Sequence, residues 1–270
     1  MGNILFVGAG NMGQAIIGGL VDSGLYSNSS ITIYEINQEI NNNVKIKFGV
    51  SSLDDLQTIN TDYSIVIFAI KPQVFKQLDK NNDLINYLSK LNSDTIFVSI
   101  MAGMKISDIT DKLGNHRKIV RTMPNTPALI RESITGISFN PNINEKDKQT
   151  VVDIFKSIGE TEIFTENQLN AVTGLSGSGP AFVFAFIEAL TQGGVYCGLT
   201  KNTAEKLAVQ TVKGASMMLN GTETIENLRH AVTSPGGTTI EGLFTLEKGA
   251  FRATIIDAVK TAKLKADMLS

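Results

Sequence analysis

Residues 8–13 read GAGNMG, a complete G-x-G-x-x-G, placed directly after the apolar run Ile4-Leu5-Phe6-Val7 and ahead of a helical pattern from Met12 to Ser23. Each glycine in such a motif serves a separate end. Gly8 permits the tight turn, Gly10 lets the backbone approach a diphosphate, and Gly13 lets helix and strand pack closely. The helix N-terminus adds free N–H groups and the positive end of a dipole. The motif alone is weak. With a strand before it, a helix after it and an acid, Glu35, about 20 residues further on, it predicts a dinucleotide site. An acid there accepts hydrogen bonds from ribose hydroxyls and repels a 2′-phosphate. No Lys or Arg stands between Glu35 and Lys45, so NADH is expected to be favoured slightly over NADPH. The competing reading turns Glu35 to solvent and leaves the ribose to Asn37 or the backbone.

Two further loops follow apolar runs. Ala69-Ile70-Lys71-Pro72 ends the run Ile65 to Phe68, and Ser99 to Gly103 (SIMAG) ends the next. Carboxyl ends of parallel strands are where this architecture receives its ligand, and Lys71 is in reach of a ribose hydroxyl or phosphate there. Further along, Gly174 to Pro180 (GLSGSGP) and Ser234 to Thr239 (SPGGTT) are rich in small residues and lead into helical patterns. Successive N–H groups at a helix start, with hydroxyls nearby, suit a carboxylate. For either loop alone, an ordinary interhelix turn is the simpler reading.

The elements that must position these loops are legible from periodicity. Strands are predicted at Asn3 to Val7, Ser30 to Tyr34, Ser64 to Ala69, Thr95 to Ile100, Lys118 to Thr122, Ile134 to Phe139 and Glu160 to Phe164. Several lack apolar/polar alternation, as strands covered on both faces do. Strands alternating with helices imply an α/β fold with a doubly wound parallel sheet. Strand signals stop after Phe164, so a boundary is placed near residue 165: a dinucleotide-binding domain over 1–165 and a helical domain over 166–270. Helices are predicted from Ala181 to Tyr196, Lys201 to Leu219 (capped by Thr200), Thr222 to Val232, Thr239 to Glu247 and Arg252 to Met268. The helix from Ala181 to Tyr196 is apolar nearly all round and must be covered on every side, which points to a subunit interface.

Composition narrows the classes. With 42% apolar and 19% charged residues and a formal charge of −2, neither a nucleic-acid partner nor a membrane partner is expected. No apolar run is expected to reach the ~18 residues of a span. The start MGNILF fails as a myristoylation signal because position 6 is Phe6. Cys197 is the one cysteine, which excludes a disulfide framework and leads to the expectation of a small apolar packing residue in a reducing cytoplasm. No metal site is expected. His116 and His230 read as surface residues.

In order along the chain, GAGNMG, AIKP, SIMAG, RTMPNTPALI (Arg121 to Ile130), AVTGLSGSGPAF (Ala171 to Phe182) and SPGGTTIEGL (Ser234 to Leu243) resemble pyrroline-5-carboxylate reductases, from about residue 4 to 265. The last two motifs are highly specific. The resemblance implies a Rossmann domain followed by an all-helical dimerisation domain, forming a homodimer or a ring of dimers. It also implies reduction of a cyclic imine acid to proline with NADPH or NADH. Gly8, Gly10, Asn11, Met12 and Gly13 would carry the dinucleotide phosphates, with Val7 and Ala9 in the same loop. Ala69, Ile70, Lys71 and Pro72 would line the ribose and nicotinamide side. Met101, Ala102 and Gly103 would lie near the nicotinamide, with Asn125 close by. Ser234, Gly236, Gly237, Thr238 and Thr239 would hold the substrate carboxylate, and Thr239 would hydrogen-bond the ring nitrogen as the catalytic group. Many relatives carry a small polar residue where Glu35 stands and use NADPH.

Hydride addition to an already protonated imine needs no strong acid or base, in keeping with the lack of a catalytic histidine. A β-hydroxyacid dehydrogenase or imine reductase is the alternative enzyme. Such enzymes typically place a Lys or Asp on a long interdomain helix, whereas the only charge from Ala181 to Tyr196 is Glu188. A dinucleotide sensor without turnover is the alternative outside enzymology.

Overall fold

A computed structural model describes residues 2–56 and 62–269. The chain divides into two compact units, one comprising Met1–Gly177 with Ala262–Ser270 and the other Ser178–Thr261.

The first unit is built on eight strands: β1 (Asn3–Val7), β2 (Ile31–Tyr34), β3 (Ser51–Ser52), β4 (Tyr63–Phe68), β5 (Ile96–Ser99), β6 (Lys118–Met123), β7 (Ser133–Phe139) and β8 (Gly159–Ile163). They form one sheet in the order β3-β2-β1-β4-β5-β6-β7-β8. The order reverses beside β1, with β2 on one side and β4 on the other, which opens a crevice at their carboxyl ends. The expectation of a wholly parallel sheet fails at one place, since β7 runs antiparallel to β6. The connection there is a single 3-10 turn, Thr126–Ile130, too short for the crossover that parallel neighbours need. A crossover through α6 (Glu145–Lys156) then makes β8 parallel to β7.

Helices α1 (Asn11–Asp22), α2 (Gln38–Phe48), α3 (Pro72–Gln77), α4 (Asp83–Ser89), α5 (Ile106–Leu113), α6 and α7 (Leu169–Val172) complete this unit. Ile4 and Phe6 point into a core with Ile16, Ile17, Leu20 and Phe155. Leu5 and Val7 point the other way, into a core with Phe68, Phe75 and Phe97. Two buried faces explain why β1 carries no polar alternation.

The division at Gly177 differs from the boundary expected near residue 165, because the first helical residues past β8 pack on the sheet. A Cβ at Gly136, in β7, would lie 2.9 Å from Val172 and 3.1 Å from Leu169. The chain also returns: α12 (Phe251–Leu269) begins in the second unit and its last turns belong to the first.

The second unit contains α8 (Gly179–Tyr196), α9 (Lys201–Met217), α10 (Ile225–Ala231), α11 (Thr238–Lys248) and the start of α12. Thr200 caps α9, its hydroxyl accepting from the Thr203 N–H. Thr224, rather than Thr222, caps α10. Helices α8 and α9 approach closely where Gly194 faces Ala204; a Cβ there would lie 2.9 Å from the Ala204 methyl. Thr191 is the one buried residue of α8. Phe184 is 66% exposed and Tyr196 94%. Cys197, expected to be packed, is exposed at the end of this uncovered helix. The helical run Glu166–Tyr196 is long and apolar enough to cross a membrane by length and composition. That corrects the expectation that no run would be, because the small residues of the GLSGSGP segment join α7 to α8 instead of interrupting them.

Candidate active site

The dinucleotide loop is fixed from several directions. Gly8 has φ +93°, and a Cβ there would stand 2.7 Å from Ile70 Cγ2 and 2.8 Å from the Ala69 carbonyl oxygen. This glycine therefore lets the loops after β1 and β4 lie against each other. Gly13 lies close to the Gly8 carbonyl and the Ala69 methyl, at 3.2 and 3.3 Å from the position of a Cβ. A Cβ at Gly10 would meet nothing within 4 Å. Gly10 is also the N-cap of α1, with no side chain capping the helix and no acid in its first turn. The open space and uncapped N–H groups fit a dinucleotide diphosphate in both size and charge.

Glu35 follows β2 and turns inward. One carboxylate oxygen accepts from the Ala9 N–H at 2.9 Å and the other from the Asn37 N–H at 2.9 Å. The acid thus braces the glycine loop and puts negative charge beside it. Glu35 does not point into solvent, and the Asn37 side-chain oxygen caps α2. Gln14 adds a second brace, its amide donating to the Ala9 carbonyl at 2.9 Å.

The remaining cofactor candidates lie along the same carboxyl edge of the sheet. The Ala69 N–H donates to the Val7 carbonyl at 2.8 Å. The Val7 side chain itself is in the core, so only its backbone faces the edge. Lys71 is exposed at the N-cap of α3, with Pro72 in the first turn. The Met101 side chain is also in the core, while Ala102 is exposed. Ser99 holds this loop, its hydroxyl accepting from the Met101 N–H at 3.2 Å. Gly103 has φ +73°, and the place of its missing Cβ lies 3.2 Å from Leu269 Cβ. Its smallness thus admits the end of α12. Asn125 is buried after β6, and its side chain bonds within the protein.

Sequence reasoning missed a polar cluster behind this edge. Arg121, in β6, is 4% exposed. It donates to Asn170 Oδ1 at 2.7 Å and lies 3.5 Å from Glu166, whose carboxylate accepts from the Ile106 N–H at the start of α5. Asn170 donates to Asp267 at 2.9 Å, and Asp267 pairs with Lys263 at 2.6 Å. Burial holds the Arg121 guanidinium below its ordinary value, and Glu166 acts in the opposite direction. The signal was the arginine itself, placed in a strand whose neighbours are apolar. Its partners are far off in sequence.

The substrate candidates lie in the second unit. The SPGGTT segment turns at Gly236 (φ +67°), and the Gly237 N–H donates to the Ser234 carbonyl at 3.1 Å. Gly237 is the N-cap of α11, again without a side-chain cap, and Thr238 and Thr239 form its first turn. Ser234, Gly236 and Thr238 are exposed, and Thr239 is half-buried. The other small-residue segment is not an open loop. Thr173–Gly177 form a π-helical turn, and Ser178 before α8 is itself helical. That segment presents no free helix start, which removes the carboxylate reading for it. Among the described residues no cluster of three or more His, Cys, Asp or Glu could hold a metal. His116 and His230 are exposed.

A glycine loop at the switch point of a doubly wound sheet, followed in the chain by a helical unit, defines a nicotinamide-dinucleotide oxidoreductase of the Rossmann class. Residues 3–103 match the family model described as NADP oxidoreductase, coenzyme F420-dependent, and residues 166–269 match the one described as pyrroline-5-carboxylate reductase dimerisation. The chain belongs to the pyrroline-5-carboxylate reductase family: it is 38% identical over 266 residues to the Escherichia coli (strain K12) enzyme of that name, an overlap of 98% of this chain and 97% of the relative. The solved structure of a pyrroline-5-carboxylate reductase from Coxiella burnetii superposes with a TM-score of 0.91 at 35% identity, covering 100% of this chain and 98% of that one. That of the Plasmodium falciparum pyrroline carboxylate reductase, with NADP bound, superposes at 0.84 and 30% identity, covering 99% and 97%.

Proposed function

We propose that this chain reduces L-1-pyrroline-5-carboxylate to L-proline, the last step of proline biosynthesis, in the cytoplasm. Kinship over nearly the whole chain supports the reaction. The observation that carries the geometry is the open, uncapped start of α1 at the switch point. NAD(P)H, held at the glycine loop and the start of α1, would supply a hydride to the carbon of the C=N bond. The proton already on the imine nitrogen stays there as the secondary amine forms.

The protein's own part is placement. Backbone N–H groups at the starts of α1 and α11 hold two anions, the diphosphate and the substrate carboxylate. In this reading Ser234, Gly236, Gly237 and Thr238 form the carboxylate cradle. The Thr239 hydroxyl, which has no hydrogen-bond partner among the described residues, steers the ring nitrogen. Glu35 tilts the cofactor preference towards NADH, because a 2′-phosphate would stand beside a carboxylate already fixed in the glycine loop. The exposed apolar helices of the second unit pair with a second copy, giving a homodimer or a ring of dimers. That cover, and not a lipid phase, accounts for the apolar run through α8.

The test is oxidation of NADH and NADPH side by side with racemic pyrroline-5-carboxylate, with proline measured as product. Proline should form in step with cofactor oxidation, from one enantiomer, and faster with NADH. Cofactor oxidation without proline, or activity confined to a six-membered cyclic imine, contradicts the assignment.

A further inference from the structure

Asn125 follows β6 and is 8% exposed. Its carboxamide makes three bonds, to two distant parts of the chain. Oδ1 accepts from the Ser133 hydroxyl at 3.0 Å and from the Ile134 N–H at 3.1 Å, closing the loop between β6 and β7. Nδ2 donates to the Ser176 carbonyl at 3.1 Å, inside the π-helical turn Thr173–Gly177. One neighbour is a backbone N–H and another a backbone carbonyl, so the amide fits only one way round. Aspartate lacks the donor, serine and threonine lack the reach, and glutamine is one methylene too long.

The turn it grips is held on other sides too. The Ser176 hydroxyl donates to the Val172 carbonyl at 3.0 Å and the Thr173 hydroxyl to the Leu169 carbonyl at 2.9 Å. A Cβ at Gly177 would meet the Met123 methyl at 2.8 Å. Turns of this kind are rare, and they occur frequently at functional sites. This one is the last before the chain passes into the second unit. The next residue, Ser178, begins the unit that carries Thr239. At its other end Asn125 stands at the carboxyl edge of β6, whose Thr122 hydroxyl donates to the Ser99 carbonyl at the start of the SIMAG loop.

Resting on the reductase reading, we propose that Asn125 is a positioning residue for hydride transfer. Its amide ties the nicotinamide edge of the sheet to the π-helical turn through which the chain enters the substrate-binding unit, and so sets the register of that turn. It acts through Ser176 and not by holding the cofactor. The removal of one buried donor should then slow the chemical step while leaving the cofactor bound.

The experiment compares Asn125→Asp, which keeps both acceptor bonds and replaces the donor to Ser176 with a carboxylate oxygen facing its carbonyl, with Asn125→Ala, which loses the donor without adding charge, and with Ser133→Ala. The last removes two loop bonds, the one the Ser133 hydroxyl donates to Oδ1 and the one it accepts from the Asn125 N–H, but leaves the Ser176 bond in place. Wild-type turnover is measured first, and its absence would count against the reductase reading alone. In both Asn125 variants kcat should fall about tenfold or more, the size expected for a lost buried hydrogen bond. The Kd for NAD(P)H should stay within about twofold, since the Asn125 side chain bonds within the protein and the diphosphate would be held at the start of α1. The deuterium isotope effect from cofactor labelled at the transferred position should rise, and amide exchange over residues 173–177 should quicken. Ser133→Ala should keep kcat within about threefold of wild type. A tenfold rise in Kd with kcat unchanged would overturn the proposal and make Asn125 a cofactor ligand. Equal kcat losses in Ser133→Ala would overturn it in favour of loop stability, as would unchanged kcat in both Asn125 variants.

Discussion

At the scale of single residues, Thr239 carries the sharpest expectation. Thr239→Val keeps the shape at the start of α11 and removes the hydroxyl. Loss of one hydrogen bond to a charged group costs about 1.5–3 kcal/mol, so kcat/KM for the imine should drop roughly ten- to a hundredfold with cofactor Kd unchanged. An undiminished kcat/KM would move the role to Thr238 or Ser234. Glu35→Ser tests two things at once. The kcat/KM ratio of NADPH to NADH should rise about tenfold or more, a change of ~1.4 kcal/mol. Both cofactors should also bind a few-fold more weakly, because the Ala9 N–H loses its acceptor. A wild type that already favours NADPH tenfold rules out the proposed preference. The glycine motif was legible because its spacing is local in the sequence. The inward turn of Glu35 and the anchoring of Asn125 to Ser176 were not. Each joins residues far apart in the chain, 26 and 51 positions respectively, and no local pattern encodes such a bond.

At the scale of elements, close approach decides what can change. Gly8→Ala would require a side chain at φ +93° against the Ala69 carbonyl and Ile70. The loops after β1 and β4 must then separate. Binding titrations should show NAD(P)H affinity reduced about tenfold or more, with melting lowered too, the scale of a backbone forced into a disfavoured region. Tyr26, folded under the end of α1 and 3% exposed, gives a pH test. Burial pushes its phenol from 10.0 up to about 12. The neutral form is favoured in the folded chain, so its contribution is full below pH 10.0 and is lost as pH rises through about 12. Urea midpoints should fall across that window in wild type and fall less in Tyr26→Phe. An equal fall in both places the alkaline loss elsewhere. Most strands were legible because runs such as YSIVIF have no other home than a sheet buried on both faces. Ser51–Ser52 was not, since two serines at a sheet edge carry no apolar signal. The reversal of β7 was hidden as well: its sequence fits either direction, and only the brevity of the loop before it decides.

At the scale of the whole molecule, the uncovered α8 sets the expectation. Sedimentation at about micromolar concentration should show no major monomer, and the melting temperature should rise with protein concentration. Phe184→Glu, placing a charge where a 66% exposed phenylalanine stands, should shift the protein towards monomer and lower its activity. A wild-type monomer with full activity contradicts this. The all-round apolarity of α8 was readable from its sequence, whereas the division into compact units at Gly177 was not, because membership of a unit is a matter of packing. The helical residues of α7 sit on the sheet despite following the last strand, and the final turns of α12 do the same.

That return of the C-terminal turns bears on how the protein is made. A ribosome releases the eight strands long before residues 262–269, yet those residues supply one partner of Asn170, the neighbour of Gly103 and the acceptor for the Lys76 ammonium, which donates to the Leu269 carbonyl at 2.9 Å. The dinucleotide-binding unit therefore cannot be finished until residues 262–269 have left the ribosome, and until then one flank of its sheet stays bare. A chain stopped before them would carry an intact motif order but an unsealed sheet, a natural substrate for chaperones and proteases.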